Sequence, residues 1–355
     1  MSAGGARLVR RIAPQALTLA AVLLLAALAF PGFFDIGLSG GRLVGSPIDI
    51  LKRGAPVALL SIGMTLVIAT RGIDLSVGAV MAIAGAVAAW AITSGWGLPA
   101  ALGLSLLAGL ACGLWNGVLV AVLGIQPIVA TLILMVAGRG VAQLVTQGAI
   151  LTFNDEGLAW FGAGTALSFP TPVAIWVLAG IVAGMVVRRT ALGLLIEAVG
   201  VNPRASRLAG INTRVLLIAV YMISGLCAAL AGVIAAADIR GADANNAGLW
   251  LELDAILAVV IGGTSLLGGR FSLLASLIGA MTIQAINTGI LLAGFPPEFN
   301  LVIKAGIVLV ILVLQSPRIG YVMAAARARR EAALAPARTP DPAGVTADPA
   351  AEAPR

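Results

Sequence analysis

The sequence predicts an all-α fold, a polytopic transmembrane helical protein of about ten spans, and three observations carry that reading. Of 355 residues, 60% are hydrophobic and only 10% are charged. The mean hydropathy is +1.06. Apolar runs of about 17 to 25 residues recur along most of the chain, the length a helix needs to cross a bilayer while satisfying its own backbone polar groups. A soluble core of this size would still need a charged exterior. One integral membrane domain is therefore expected over residues 1–318, followed by a cytoplasmic tail over 319–355.

The first span is expected at 14–30, behind Arg7, Arg10 and Arg11. Ala27, Leu28 and Ala29 resemble a signal-peptide cleavage site, but the protein that follows is itself membranous, so an uncleaved span is the reading adopted. The second and third spans, 54–70 and 75–93, are separated by the break Arg71-Gly72-Ile73-Asp74. The fourth and fifth follow at 98–122 and 127–147, and the sixth, 170–187, leads into a basic loop. The seventh begins after that loop, at 214–237, and the last three occupy 253–267, 271–292 and 298–315. From Glu331 onward the chain is rich in Ala and Pro with almost no large apolar side chain, a composition expected to stay disordered.

With the N-terminus inside, the cytoplasmic segments collect Arg71, Arg188, Arg189, Arg204, Arg207, Arg214 and Arg270 beside the two basic termini, whereas the outer segments hold Arg42, Lys52, Arg53 and Arg240. That bias places both termini in the cytoplasm. The net charge of +7 therefore orients the chain in its membrane and does not point to nucleic acid. There is no histidine, which removes the commonest general base and metal ligand, and Cys112 and Cys227 lie inside apolar segments as packing residues. The only lysines, Lys52 and Lys304, stand in DILKRG and VIKAG, neither of which is a phosphate-binding loop. No cofactor is expected on this chain. If it belongs to an active pump, ATP is bound by a separate subunit.

Residues 190–214 offer the surface such a subunit would need. Asn202 before Pro203 is an N-cap with proline at the first helical position, and Gly210 is placed to end the helix in a left-handed conformation after about two turns. Ala205, Leu208 and Ala209 share a small apolar side while Arg204 and Arg207 project as donors. Two readings stand: a docking helix, or a solvated basic loop that only sets topology.

Within the spans, small residues recur as Gly78, Ala82 and Gly85 and as Gly225, Ala229 and Gly232, faces suited to close helix packing. Asp74, two residues before Ser76, is expected to cap the next helix; alternatively its glycine-bearing break lines a cavity. Arg139 shares a polar face with Gln143 and Gln147 and is a candidate for either a cavity lining or a buried structural pair, and Lys304 is expected to reach Glu252, Asp254 or lipid headgroups. Asn116, Gln126, Gln284, Asn287 and Thr288 are neutral polar groups that suit a sugar-like solute better than an ion, and equally suit helix-to-helix hydrogen bonds. A faint parallel echo relates MTLVIATRGIDLSVGAVMAIAGA to LAVVIGGTSLLGGRFSLLASLIGA, each a span, a glycine-containing break and a span.

Four segments, GMTLVIATRGIDLSVGAVMA at 63–82, WNGVLVAVLGIQPIVATLILMVAGRG at 115–140, GLLIEAVGVNPRASRLAGINTR at 193–214 and DAILAVVIGGTSLLGGR at 254–270, resemble the permease subunits of bacterial ATP-binding-cassette (ABC) importers for ribose and related monosaccharides. The resemblance extends to about Arg318. SPIDIL at 46–51, TFNDEGLAWFG at 152–162, AADIRGADANNAGLWLELDAILAV at 236–259 and TGILLAGFPPEFN at 288–300 are most similar to the galactofuranose branch of that family. The resemblance implies a non-enzymatic inner-membrane permease with Glu197, Gly200, Asn202, Arg204, Arg207 and Gly210 in the segment that meets an ABC ATPase. It also implies a second permease subunit, the same chain or a related one, and a periplasmic sugar-binding protein. Asp74, Ser76, Asn116, Arg139, Gln143, Gln284 and Asn287 are the candidates for the translocation path. Arg71 departs from the family pattern, standing where a glycine is expected in a Gly-Gly-Ile-Asp motif. The residues themselves leave open an importer of another small polar solute, or an ATPase-independent secondary transporter or channel built on Asp74 and Arg139.

Overall fold

The computed structural model describes residues 3–166 and 168–315; Arg318 and the tail expected from residue 319 lie outside the described residues. Among those described, the chain forms α1 (Ala3–Ala29), α2 (Ser46–Arg53), α3 (Ala55–Ala69), α4 (Val77–Thr93), α5 (Leu98–Ala121), α6 (Pro127–Thr146) and α7 (Glu156–Ala163). It continues with α8 (Thr171–Arg189), α9 (Leu192–Val201), α10 (Pro203–Leu208), α11 (Thr213–Ile239), α12 (Leu251–Ile261), α13 (Leu273–Leu292) and α14 (Pro297–Gln315). Among the described residues, strands are confined to three two-stranded antiparallel pairings of two or three residues per strand, such as Gly37–Ser39 with Arg42–Val44. The unit that runs to Leu309 holds the architecture described below; of the unit that starts at Val310, only the end of α14 is described.

Every one of the ten expected segments contains a helix, but the ten are not equivalent. Six helices, α1, α5, α6, α8, α11 and α13, are long and apolar enough to cross a membrane alone, and α2 with α3, bent by 45°, makes a seventh. The eighth segment, expected at 253–267, stops at Ile261: α12 has 11 residues, about 16 Å at 1.5 Å per residue, half of a hydrocarbon core. Three helices, α2, α7 and α9, fall in stretches expected to be loops. Asp155 caps α7 by accepting from Leu158 N at 2.7 Å, and Ser-Pro at 46–47 starts α2.

Helix α11 is the axis of the packing, in contact with α3, α4, α5 and α7. Glycines make that possible: a Cβ on Gly109, Gly113 or Gly117 of α5 would collide with the α11 backbone at Gly225, Tyr221 and Ile218, and one on Gly85 of α4 would lie 3.0 Å from Gly232 O. The small-residue faces noted in the sequence are therefore used for close approach of α4 and α5 to α11. Around this seam, Leu59, Leu60, Met64, Ile68, Val80, Met81, Ile234 and Val259 form a buried apolar cluster. Large apolar side chains on α1, α6 and α8, among them Leu24, Leu28, Val136, Leu144 and Leu178, stand exposed, a distribution that needs lipid or another helix to cover it.

The faint echo between 64–86 and 257–280 has a structural counterpart. In each, a helix ends and the chain breaks before the next helix begins, at 70–76 between α3 and α4 and at 262–272 between α12 and α13. The two breaks touch, Gly269 N donating to Ala69 O at 2.9 Å.

Candidate functional site

Two places gather the residues singled out by the sequence. The first is the segment from α9 to the start of α11. Asn202 adopts an extended conformation and its side chain accepts from Arg204 N and Ala205 N, both at 3.1 Å, so that α10 starts at Pro203 with its first orphan donors satisfied. The helix closes in a Schellman motif: Ile211 N donates to Ser206 O and Gly210 N to Arg207 O, both at 3.0 Å, with Gly210 at φ +85°. Asn212 then caps α11 through Val215 N at 3.2 Å.

The result is a rigid six-residue helix presented outward. Leu208 is 92% exposed, and Ala205, Ala209 and Arg204 are also exposed. Arg207, also exposed, commits its Nε to Thr213 Oγ1 at 2.9 Å, which braces α10 against α11 and leaves the Nη groups as the donors it presents. Glu197 is half-buried on α9 and lines, with Arg188 and Arg189, a groove of about 770 Å³ between α8, α9 and α13. Gly200 is the tightest point of the region: a Cβ there would collide with Ala69 O and meet Gly269 N at 2.6 Å. Helix α9 thus seats its last turn directly on the junction of the two breaks.

The second place is the break at 70–76. After α3 ends near Thr70, the chain turns back into the protein and Asp74 reaches Ser224, about 16 Å along α11 from its start at Thr213. Irregular backbone at that depth is viable only inside protein or beside water, and Asp74 and Ser76 are both buried. Asp74 Oδ1 accepts from Ser76 N at 3.1 Å and Ser76 Oγ at 2.6 Å, and Oδ2 accepts from Ser224 Oγ at 2.8 Å. Asn116 Nδ2 donates to Ser76 Oγ at 2.8 Å and stands 3.5 Å from Asp74 Oδ1. Thr131 of α6 closes the set by accepting from Leu75 N at 3.2 Å and donating to Ile73 O at 3.1 Å. Asp74 does bond the backbone leading into α4, as a cap would, but Ser76, not Asp74, is the cap residue, and the carboxylate's other oxygen ties the break before α4 to α11. Ser224 was missed in the sequence, where it is one small residue among many on a glycine-rich helix.

The remaining candidates lie elsewhere. Arg139 donates to Ala244 O and Ala247 O, and Gln143 Nε2 donates to Asn245 Oδ1 at 2.8 Å, so α6 clasps the loop between α11 and α12. Asp243 in that loop accepts from Asn245 N, Asn246 N and Asn246 Nδ2, and the Asn246 side chain foremost holds its carboxyl below the usual range. Gln284 and Asn287 sit on α13, Gln284 beside Gly54 at the α2–α3 bend, at the opposite end of α3 from Asp74. Lys304 pairs with Asp254, 2.9 and 3.0 Å from its two oxygens, both side chains being buried.

Charge divides the two ends of the bundle. Arg71, Arg188, Arg189, Arg204, Arg207, Arg214 and Arg270 belong to the turns at the α10 end. At the opposite end, Lys52 pairs with Asp238 at 2.7 Å and Arg240 with Glu156 at 2.8 Å. The Arg240–Glu156 hydrogen bond holds the guanidinium's pKa above its usual value.

Comparison with known proteins accords with this architecture. Residues 46–312 match the family described as the permease component of branched-chain amino acid transport systems. The chain is 63% identical to the galactofuranose transporter permease YtfT of Escherichia coli K12, over 89% of this chain and 93% of that protein. It is 45% identical to the fructose import permease FruF of Bifidobacterium longum, over 82% and 83% of the two chains, and 38% identical to the ribose import permease RbsC of Escherichia coli K12, over 81% and 88%. No solved structure matches the chain. Matches of this extent show that the chain is a transporter permease and not an enzyme: it belongs to the permease-component family, as a permease of the ribose type found in ABC sugar importers.

Proposed function

We propose that the chain is the permease through which a bacterial ABC importer carries galactofuranose across the inner membrane. The observation that carries the substrate is the 63% identity to a galactofuranose permease across nearly the full length of both chains. A periplasmic sugar-binding protein delivers the sugar, a second permease subunit completes the path, and membrane lipid covers the exposed apolar faces of α1, α6 and α8. The basic end carrying α10 faces the cytoplasm, as the positive-inside rule requires, so both termini are cytoplasmic.

In this reading α10 is the element that an ABC ATPase grips. Glu197, Gly200, Asn202, Arg204, Arg207 and Gly210 shape that segment: Asn202 and Gly210 fix its ends, Arg207 braces it to α11, and Leu208 is the apolar knob offered to a groove on the ATPase. ATPase closure moves α10 and the spans re-pack between outward-open and inward-open states. The neutral groups of the path, Asn116, Gln143, Gln284 and Asn287, with Ser76, and the charged Asp74 and Arg139, are the candidates for contact with hydroxyls of the passing sugar.

The test is ATP-driven uptake of labelled galactofuranose, with ribose and galactopyranose as competitors, into vesicles holding this chain with its ATPase, binding protein and sister permease. Galactofuranose uptake that requires every partner is the expected result. ATP-driven uptake of a different solute overturns the substrate alone, and transport without the ATPase overturns the importer.

A further inference from the structure

Arg71 sits at φ +66°, a left-handed conformation that is unfavourable for an L side chain and that glycine adopts freely. Something must offset that cost. The turn is held by backbone bonds from Arg71 N to Ile68 O at 2.9 Å and from Gly72 N to Val67 O at 3.0 Å. From it the Arg71 side chain crosses to α9, where Nε donates to Gly200 O and Nη2 to Val201 O. These are the last two carbonyls of α9, which have no partner within their own helix. A guanidinium is the one side chain whose rigid fork serves two adjacent acceptors. The aliphatic stem also fills the space over Gly268, where an added Cβ would lie 2.5 Å from Arg71 Cγ.

One side chain therefore joins three elements: the end of α3, the end of α9 immediately before α10, and the break before α13. Three residues further on is Asp74, whose carboxylate is wired to α5 and α11 through Ser76, Asn116 and Ser224. Thr131 of α6 holds the chain on both sides of Asp74, donating to Ile73 O before it and accepting from Leu75 N after it. Only Gly72 and Ile73 separate Arg71 from Asp74, so a short link joins the end of α9 to the Asp74 network.

We propose that Arg71 is a positioning residue for energy coupling: it hands the movement of α9 and α10 to the membrane-embedded Asp74 network. This builds on the reading that α10 docks the ATPase. The lever is Arg71; the segment that α10 offers to the ATPase does not include it.

The experiment uses the full complex in proteoliposomes and measures three quantities together: ATPase retained by the membrane subunits, ATP hydrolysed and sugar imported. Arg71→Gly keeps the left-handed backbone available and removes both donors; Arg71→Lys keeps the charge but not the fork. Arg71→Gly is expected to retain assembly and hydrolysis while sugar imported per ATP falls by about fivefold or more, with Arg71→Lys in between. An unchanged ratio in Arg71→Gly, or assembly, hydrolysis and uptake all falling in step, overturns the proposal. Failure of both variants to insert overturns it too, since glycine suits this φ. Leu208→Asp separates the underlying reading: if the ATPase binds that variant as well as the parent, α10 is not the docking helix, whatever Arg71 does.

Discussion

Ser224 Oγ donates to Asp74 Oδ2 at 2.8 Å and so fastens the centre of α11 to the break between α3 and α4. A buried bond to a carboxylate contributes about 1.5–3 kcal/mol. Ser224→Ala is expected to lose about that much, read as a fall in the thermal inactivation midpoint in detergent. Asp74→Asn keeps one acceptor for these donors and should cost less than Asp74→Leu, which strands Ser76, Asn116 and Ser224 together. Equal midpoints for the two Asp74 variants would mean the network contributes nothing to the fold.

Lys304 and Asp254 form an ion pair with both side chains buried. Removing one partner of such a pair leaves a buried charge without compensation, a loss of about 3–5 kcal/mol, whereas replacing both by apolar groups is often close to neutral. Lys304→Met should therefore reduce the folded yield sharply and Lys304→Met with Asp254→Leu should restore most of it. Size-exclusion profiles of the purified variants decide this, and a double variant no better than the single would show that Lys304 acts apart from Asp254.

Gly210 ends α10 at φ +85° with open space around its Cα. A side chain there meets no steric block, so the penalty is backbone strain alone, about 1 kcal/mol for alanine and less for asparagine. Local strain of that size leaves insertion intact but lets α10 fray. Gly210→Ala and bulkier variants are expected to insert normally, retain binding of sugar-loaded binding protein and lose uptake to a similar extent whatever the side-chain bulk, with Gly210→Asn mildest. Normal uptake in a bulky variant would remove α10 from the coupling path.

The loop clasped by Arg139 and Gln143 has its own pH signature. The folded-state pKa of Asp243 is depressed, chiefly by the Asn246 side chain, so its contribution is fully present above the ordinary aspartate value, about 3.9, and is lost as pH falls through the lower folded value. Hydrogen exchange across 243–250 should thus be flat from about pH 8 to pH 5 once intrinsic rates are removed, and should rise only below about pH 4. Asp243→Asn abolishes that acid step. A transition near neutral pH would assign the loop to a different titrating group.

The order of the spans, the α10 caps and the need of Lys304 for a partner, left open among Glu252, Asp254 and headgroups, were legible because each depends on local chemistry or on a charge that hydrocarbon will not tolerate. Asn202-Pro203 and Gly210 specify a helix whatever surrounds them. The shortness of α12 was not read from 253–267, because apolar residues on both sides of Gly262-Gly263 keep the hydropathy of that window high, and hydropathy does not register that the chain leaves the helix at Gly262 to meet α13. Helix α9 was missed for a related reason: an apolar ten-residue helix between arginines looks like part of a loop until Gly200 is seen to rest on Ala69. The gathering of Asp74, Ser76, Asn116 and Ser224 depends on how three helices cross, which no linear spacing encodes.

That contact at Gly200 gives the sharpest prediction. A Cβ on Gly200 would overlap Ala69 O and press on Gly269 N at 2.6 Å, and all of these atoms are backbone, so no rotamer change relieves the clash. Gly200→Ala must lift the end of α9 away from the junction of the two breaks, and with it α10. Gly184, in the middle of α8, has nothing within 4 Å of the same added atom; there alanine should be neutral or stabilise by about 0.4–1 kcal/mol through the unfolded chain. The pair separates a general intolerance of bulk in a glycine-rich membrane protein from a specific contact. Uptake near the parent level in Gly184→Ala and at least tenfold lower in Gly200→Ala, at equal amounts in the membrane, is the expected outcome. Equal activity would mean that α9 moves freely over Ala69 and that movement of α10 reaches the spans by another route.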